Sequence, residues 1–118
     1  MGGRPSADSS QTALMTRRLI IRAQAEADIS QAALWYHNQL PRLAEEFMAE
    51  VDAAIGRAVA NPFLYRRLRR RPEVRRVLTR RFPYRVFFVL RPDAIVVFRV
   101  LHAARHDREW RTSVVLKE

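Results

Sequence analysis

Two long stretches in the first half of the chain repeat their apolar residues at the spacing of an α-helix. In the first stretch, at about 26–40, the repeating residues are Ile29, Ala33, Tyr36 and Leu40. In the second stretch, at about 42–60, they are Leu43, Phe47, Val51, Ile55 and Val59, widened by Ala54 and Ala58. Such spacing places each set along one side of a helix. Pro41 separates the two stretches and Asn61-Pro62 follows the second, so we predict an antiparallel helix hairpin.

The second half of the chain has the composition of β-strands. The runs at 74–79, 84–90 and 94–103 are rich in β-branched and aromatic residues, and Arg91-Pro92-Asp93 between the last two predicts a turn. A shorter run at 17–22 precedes the first helix. Strict alternation in the last strand predicts two sets of residues on opposite faces of the sheet. The sets are Val96, Phe98, Val100 and His102, and Ile95, Val97, Arg99 and Leu101.

The resulting element order, β-α-α-β-β-β, predicts an α+β fold in which the helix hairpin packs on one face of a small, mostly antiparallel sheet. The length of 118 residues suits one domain. We expect this domain at 17–112, after a disordered leader or cloning remnant at 1–16 and before a C-terminal tail at 113–118. Because both faces of the central strands are apolar, we expect a partner to cover part of the second face.

Charge is distributed unevenly along the chain, whose formal net charge is +10. Residues 57–81 contain ten arginines and one acid, Glu73, whereas residues 23–56 contain six acids and one base, Arg42. Such a basic region attracts polyanions or acidic proteins. The arginines at 66–71 are the densest group. They are predicted to contact phosphates or the carboxylates of a partner, the alternative being a solvated loop.

Composition also excludes several classes of protein. The chain has no cysteine and its three histidines are scattered, so we expect neither a metal site nor a cofactor. No apolar run approaches the ~20 residues of a membrane span. Residues 1–16 lack the apolar centre of a signal peptide. We therefore expect a cytoplasmic protein with no membrane partner and no small-molecule substrate.

Several short motifs, in their order and spacing, resemble those of a known family. They are Ala25–Asp28, Trp35-Tyr36, Asn61-Pro62, Val74–Val77, Phe82–Phe88 and Val100–Asp107. Together they resemble the ParE toxins of the ParE/RelE superfamily of type II toxin–antitoxin systems, also described as plasmid stabilisation proteins, over about residues 18–110. The resemblance implies a bacterial toxin that forms a hetero-oligomer with a ParD-like antitoxin. It also implies that the acidic C-terminal segment of the antitoxin folds along the toxin.

The resemblance leaves two activities open, inhibition of DNA gyrase by ParE-like members and ribosome-dependent cleavage of messenger RNA by RelE-like members. RNA cleavage needs a general base, a general acid and cations, which RelE-like toxins provide with lysines, arginines and a C-terminal tyrosine or histidine. Here Tyr84 is the last tyrosine and Lys117 the only lysine. We therefore predict a gyrase inhibitor that is not an enzyme and has no catalytic residues. The alternative is a nuclease that uses Arg81, Arg85, His102 and Arg105.

A third possibility is a nucleic-acid-binding module without toxicity, which basic charge alone would permit. In either toxin reading, aromatic and basic side chains are expected to contact the antitoxin or the target. The candidates are Trp35, Arg66, Arg67, Arg69, Arg70, Arg76, Arg81, Tyr84, Arg105 and Trp110. Tyr84 is expected either in the core or stacked on a nucleobase, and Trp110 either against the sheet or on a partner. His102 is expected to be a hydrogen-bonded histidine at a strand end.

Overall fold

The computed structural model describes residues 17–104, which form two helices and four strands. In chain order the elements are β1 (Arg18–Ile21), α1 (Ala23–Gln39), α2 (Pro41–Ala60), a 3-10 turn (Pro62–Leu64), β2 (Val74–Leu78), β3 (Tyr84–Leu90) and β4 (Ala94–His102). The predicted order is confirmed, and differences are confined to element ends. The largest is at α1, which begins at Ala23 and not at about Glu26. The predicted leader at 1–16 and tail at 113–118 lie outside the described residues.

The two helices are joined by a single residue, Leu40, whose backbone is extended. Pro41 occupies the first turn of α2, where its missing N–H costs no helical hydrogen bond. The N–H of Leu43 donates to the carbonyl of Leu40 at 2.8 Å, which fixes the reversal of the chain. The sharp link makes the hairpin antiparallel, as predicted.

The four strands form one mixed sheet in the order β1-β4-β3-β2. The pairs β2–β3 and β3–β4 are antiparallel, whereas β1 pairs with β4 in parallel, with Leu19 opposite Ile95. Two of the three pairings are antiparallel, as the prediction of a mostly antiparallel sheet requires. The parallel pairing ends at Ile21 opposite Val97, so within residues 17–104 the last part of β4 has no strand neighbour on that side.

The helix hairpin covers one face of the sheet, α1 lying over β4 and α2 over β2 and β3. The predicted stripe of α2 is confirmed in its centre, because Phe47, Val51 and Ile55 are buried in the main core. Burial of each such side chain contributes about 1.5–3 kcal/mol to stability. The stripe of α1 differs from the prediction at its C-terminal end, where Leu40 is exposed.

The deepest side chains of α1 were absent from the predicted stripe. They are Ala25, Asp28 and Ala32, whereas Ile29, Ala33 and Tyr36 pack against the core from its edge. Two of the three buried residues are alanines, and small side chains let a helix approach its neighbour closely. The close approach brings the third, Asp28, onto β4.

A smaller apolar cluster occupies the opposite face of the sheet. It consists of Val74, Phe87, Phe98 and Leu101, with Leu68 and Val89 against it. The strict alternation predicted for β4 is wrong beyond Phe98, because the β3–β4 register shifts between Phe87 and Phe88. A bulge of this kind inserts one extra residue into a strand and reverses the faces that follow. Val100 therefore joins Ile95 and Val97 in the main core, and Leu101 joins Phe98 on the opposite face.

Candidate functional site

Two grooves lie at the end of the sheet where β2 and β4 finish and β3 begins. The first, here called the aromatic groove, has a volume of about 700 Å³ and lies between α1 and the last part of β4. Its lining residues are Gln24, Asp28, Gln31, Ala32, Trp35, Tyr36, Tyr84, Arg99, Val100, Leu101, His102 and Ala104. Among the described residues, its walls are formed by side chains of α1, of the last part of β4 and of the start of β3, together with Ala104.

A buried ion pair forms the base of the aromatic groove. Asp28 on α1 accepts two hydrogen bonds from the Arg99 guanidinium, Nε to Oδ2 at 2.8 Å and Nη2 to Oδ1 at 3.1 Å. The backbone N–H of Val100 also donates to Oδ2, at 2.9 Å, and Gln24 Nε2 donates to Oδ1 at 3.2 Å. Both carboxylate oxygens are thus satisfied, as burial of a charge requires. The contact ties α1 to β4 beside the bulge.

The sequence patterns did not predict this role of Asp28. Arg99 is distant in sequence, and the bulge that turns the strand toward α1 changes the alternation. An arginine among apolar residues of a central strand was nevertheless a usable signal, because a buried arginine needs a carboxylate partner.

Aromatic side chains form the wall of this groove. Tyr36 lies 5.1 Å from Trp35 and 5.0 Å from Phe82 between ring centroids, and Tyr84 faces His102 across the β3–β4 pair at 5.3 Å. Tyr84 packs against the main core, which is one of the two positions expected for it. Trp35 is different, since 59% of its surface is exposed. An exposed tryptophan beside a groove has the chemistry of a partner anchor.

His102 lies at the exposed end of β4. Its Nδ1 accepts a hydrogen bond from the N–H of Ala104 at 3.1 Å. This is the hydrogen-bonded edge position predicted from the sequence. One ring nitrogen of His102 therefore accepts a hydrogen bond from the residues that follow the end of β4.

The turn between β2 and β3 is held by two acids of α2. Glu50 accepts hydrogen bonds from the N–H groups of Arg80 and Arg81, at 2.9 and 3.2 Å. Both hydrogen bonds lower the pKa of Glu50 from its ordinary value, and the bond from Arg80 has the larger effect. The Arg81 guanidinium donates to Glu46 at 2.8 Å, and this bond raises the pKa of Arg81. Arg81, one of the predicted binding residues, is therefore paired with a carboxylate in the described structure.

The second groove, here called the cationic groove, lies along the outer edge of β2 and has a volume of about 380 Å³. Its lining residues are Arg57, Tyr65, Arg66, Leu68, Arg76, Val77, Leu78, Thr79 and Arg80. Four arginines thus meet here from α2, the loop before β2, β2 itself and the turn after it. Arg57 Nη2 donates to the carbonyl of Leu78 at 2.8 Å, and this contact fixes one guanidinium at the groove.

The arginines of 57–81 therefore do not act as one patch. Arg66 and Arg76 line the cationic groove, whereas Arg67, Arg69 and Arg70 are exposed outside it. Arg57 and Arg80 also line the groove but were not among the predicted binding residues. The role of Arg57 could have been predicted from its place in the last turn of α2, just before the basic loop. Arg71 is paired with Glu73, its Nε lying 2.7 Å from Oε2.

The side chain of Arg75 on β2 does not line the cationic groove. It instead stabilises the loop before β2. Its Nη1 donates to the carbonyl of Tyr65 at 2.8 Å, and its guanidinium lies 5.4 Å from the centroid of the Phe63 ring. Burial, and then the positive charge of Arg67, lower the pKa of Arg75. Burial is the larger cause, and the smaller one shows that the charge of Arg67 acts on Arg75.

The structure separates two members of the alternative nuclease set. Arg85 is paired across the sheet with Leu101, a member of the cluster on the face away from the helices. His102 is paired with Tyr84 and lines the aromatic groove on the helix face. Arg105, and also Trp110 of the binding set, lie outside the described residues.

Within residues 17–104, no helix is long and apolar enough to cross a membrane. The same part of the chain contains no group of three or more histidine, aspartate or glutamate side chains placed to hold a metal ion.

The family model described as the ParE toxin of type II toxin–antitoxin systems, parDE, matches residues 19–107. The chain belongs to this family of toxins.

Among solved structures, a protein of the chromosomal ParDE toxin–antitoxin system from P. aeruginosa is similar, with a TM-score of 0.67 and 18% sequence identity. The likeness covers 75% of this chain and 97% of that one, and it confirms the α+β fold. No protein of curated function matches the sequence.

Proposed function

We propose that this ParE-family toxin inhibits DNA gyrase without being an enzyme, and that an antitoxin with an acidic C-terminal segment neutralises it. The observation that carries the proposal is the family match over 19–107. Gyrase lies in the cytoplasm, where we expect the chain to act.

The placement of the nuclease candidates supports this activity over RNA cleavage. A general base and the cations that stabilise a phosphoryl transition state must reach the same few atoms of the substrate. Arg85 and His102 lie on opposite faces of the sheet, and Arg81 is paired with Glu46. These three side chains do not converge on one point, and RelE-like cleavage stays the alternative.

Antitoxin binding is supported by the two grooves. An amphipathic segment binds a protein through apolar anchors, and complementary charge increases the rate of association. Trp35 offers an exposed anchor beside the aromatic groove, and the net charge of +10 favours an acidic partner. The similar P. aeruginosa protein comes from a ParDE toxin–antitoxin system, in keeping with a toxin that has a dedicated antitoxin.

Induced expression in bacteria tests the proposal, with DNA damage and translation measured in parallel. We expect growth to stop with an SOS response and stalled replication while protein synthesis continues at first. Abrupt arrest of translation would instead establish the RelE-like alternative. Harmless expression of a folded chain would contradict both toxic activities and favour a plain nucleic-acid-binding module.

A further inference from the structure

The cationic groove holds an excess of positive charge, although Glu50 lies close enough to Arg57 for their charges to interact. Within residues 17–104, no carboxylate oxygen lies within 4 Å of the guanidinium groups of Arg57, Arg66, Arg76 or Arg80. The neighbouring arginines 71 and 81 do have such partners, in Glu73 and Glu46. Guanidinium groups gathered around one small volume repel one another, so an anion placed between them is stabilised.

The floor of the groove restricts the kind of anion. The name floor is used here for the apolar lining residues Tyr65, Leu68, Val77 and Leu78, of which Leu78 is 53% exposed. A nucleic-acid backbone would pair with the arginines but leave the apolar floor in contact with water. A polypeptide that carries carboxylates on either side of an apolar side chain satisfies both parts, since its apolar group covers the floor.

The edge of β2 determines how that polypeptide binds. An unpaired strand edge invites another strand to add to the sheet. Here the carbonyl of Leu78 already accepts a hydrogen bond from Arg57, and the carbonyl of Val74 accepts one from the N–H of Leu68 at 2.9 Å. These contacts engage two carbonyls of the edge and would compete with an added strand, which favours a ligand that is recognised by its side chains.

We propose that the cationic groove is the docking site for an acidic stretch of the antitoxin in which an apolar side chain is flanked by carboxylates. The identity of the occupant rests on the proposed function, whereas the chemistry of the groove does not. Arg57 is held in place by Leu78, and Arg66, Arg76 and Arg80 complete the ring around the apolar floor.

A synthetic peptide tests the groove without antitoxin or gyrase. The probe is a fluorescein-labelled acidic peptide in which leucines are flanked by glutamates, titrated with the full-length chain and followed by fluorescence anisotropy. The groove variant is Arg66→Gln with Arg76→Gln, and the matched control is Arg69→Gln with Arg70→Gln, which removes the same charge from the same side. Within the described residues neither Arg66 nor Arg76 forms a side-chain hydrogen bond, so the groove variant is expected to fold, as circular dichroism would check.

We expect the groove variant to lower the peptide affinity at least about tenfold, because charge-assisted hydrogen bonds are lost. The control variant should lower it less than about threefold, through the general field alone. Equal losses in the two variants would show that only bulk charge matters and would overturn the proposal. An all-glutamate peptide that binds as tightly as the leucine-containing one would equally contradict the role of the apolar floor.

A short DNA duplex separates the peptide site from a phosphate site. We expect the two variants to weaken DNA binding to the same extent. A selective loss of DNA affinity in the groove variant, with peptide affinity unchanged, would assign the groove to nucleic acid and overturn the proposal. If the peptide distinguishes the variants but the toxin inhibits no gyrase and binds no antitoxin, the proposed function fails while the chemistry of the groove stands.

Discussion

The aromatic and cationic grooves lie at the same end of the sheet, yet they differ in whether their charged side chains are paired. In the aromatic groove the charged pair is buried and complete, because Asp28 accepts hydrogen bonds from Arg99, Gln24 and the Val100 N–H. In the cationic groove, within the described part of the chain, none of the arginines forms an ion pair within 4 Å. Saturated polar groups hold a fold together, whereas unsatisfied ones at a surface are available to a partner.

Removing Asp28 should have the largest effect on stability. Asp28→Ala leaves the Arg99 guanidinium, only 11% exposed, without its carboxylate. Breaking a buried pair in this way costs about 3–5 kcal/mol in the free energy of unfolding. Guanidinium chloride unfolding, followed by circular dichroism, would measure the loss.

The double variant Asp28→Leu with Arg99→Met is the matching control. It removes both charges and should recover most of the loss, since an apolar pair of similar volume replaces a buried ion pair at little cost. If Asp28→Ala alone unfolds at the same denaturant concentration as the unmodified chain, the contact does not connect α1 to β4 in the way described.

Replacing Trp35 should affect binding and leave folding almost unchanged. The side chain is 59% exposed, so Trp35→Ala removes little core. As an aromatic anchor it should contribute about 2 kcal/mol to antitoxin binding, equivalent to a loss of affinity of about 30-fold. Isothermal titration calorimetry with the antitoxin would measure the change.

Leu34 offers a control for this prediction. It is 61% exposed on the same helix but does not line the aromatic groove. Leu34→Ala should therefore leave the affinity within about threefold of the original. Equal effects of the two substitutions would place the antitoxin on another surface of α1.

The smallest effect is expected at Glu50, the α2 residue that holds the turn between β2 and β3. The N–H groups of Arg80 and Arg81 lower its pKa in the folded state below the ordinary 4.5. A depressed folded-state pKa contributes stability that is present above the unfolded-state pKa and is lost as the pH falls through the folded value. Glu50→Gln should therefore reduce the loss of stability below about pH 4.5.

Denaturant midpoints measured from neutral pH into this acid range would test the Glu50 prediction. Glu45→Gln, an exposed acid on the same helix, provides the comparison and should retain the full loss. Identical acid profiles for Glu50→Gln and the unmodified chain would argue against the role of Glu50 in holding the turn.

Local patterns predicted most of the fold because they depend on neighbours in sequence. The bounds of β3 follow from its apolar and aromatic run between two turns, and the stripe of α2 follows from its four-residue repeat. The parallel placement of β1 against β4 could not be read from either strand, since it depends on how the helix hairpin returns the chain. The bulge at Phe87/Phe88 likewise depends on strand pairing and not on composition.

The sequence predicted which kinds of side chain form the candidate site, but not which of these side chains lie together. Trp35, a candidate binding residue, is exposed, and the arginine-rich loop indicated a basic surface. The sequence did not show that Arg81 is neutralised by Glu46, 35 positions away. It also did not show that Arg57 joins Arg66 and Arg76 around one groove. Such pairings depend on the packing of α2 against β2, which no local pattern encodes.

A gyrase supercoiling assay with the purified chain tests the central claim most directly. We predict that the toxin inhibits supercoiling or traps the cleaved DNA complex, and that its antitoxin restores activity. Gyrase that supercoils at its full rate, with no trapped complex at saturating concentrations of the folded chain, would contradict the account.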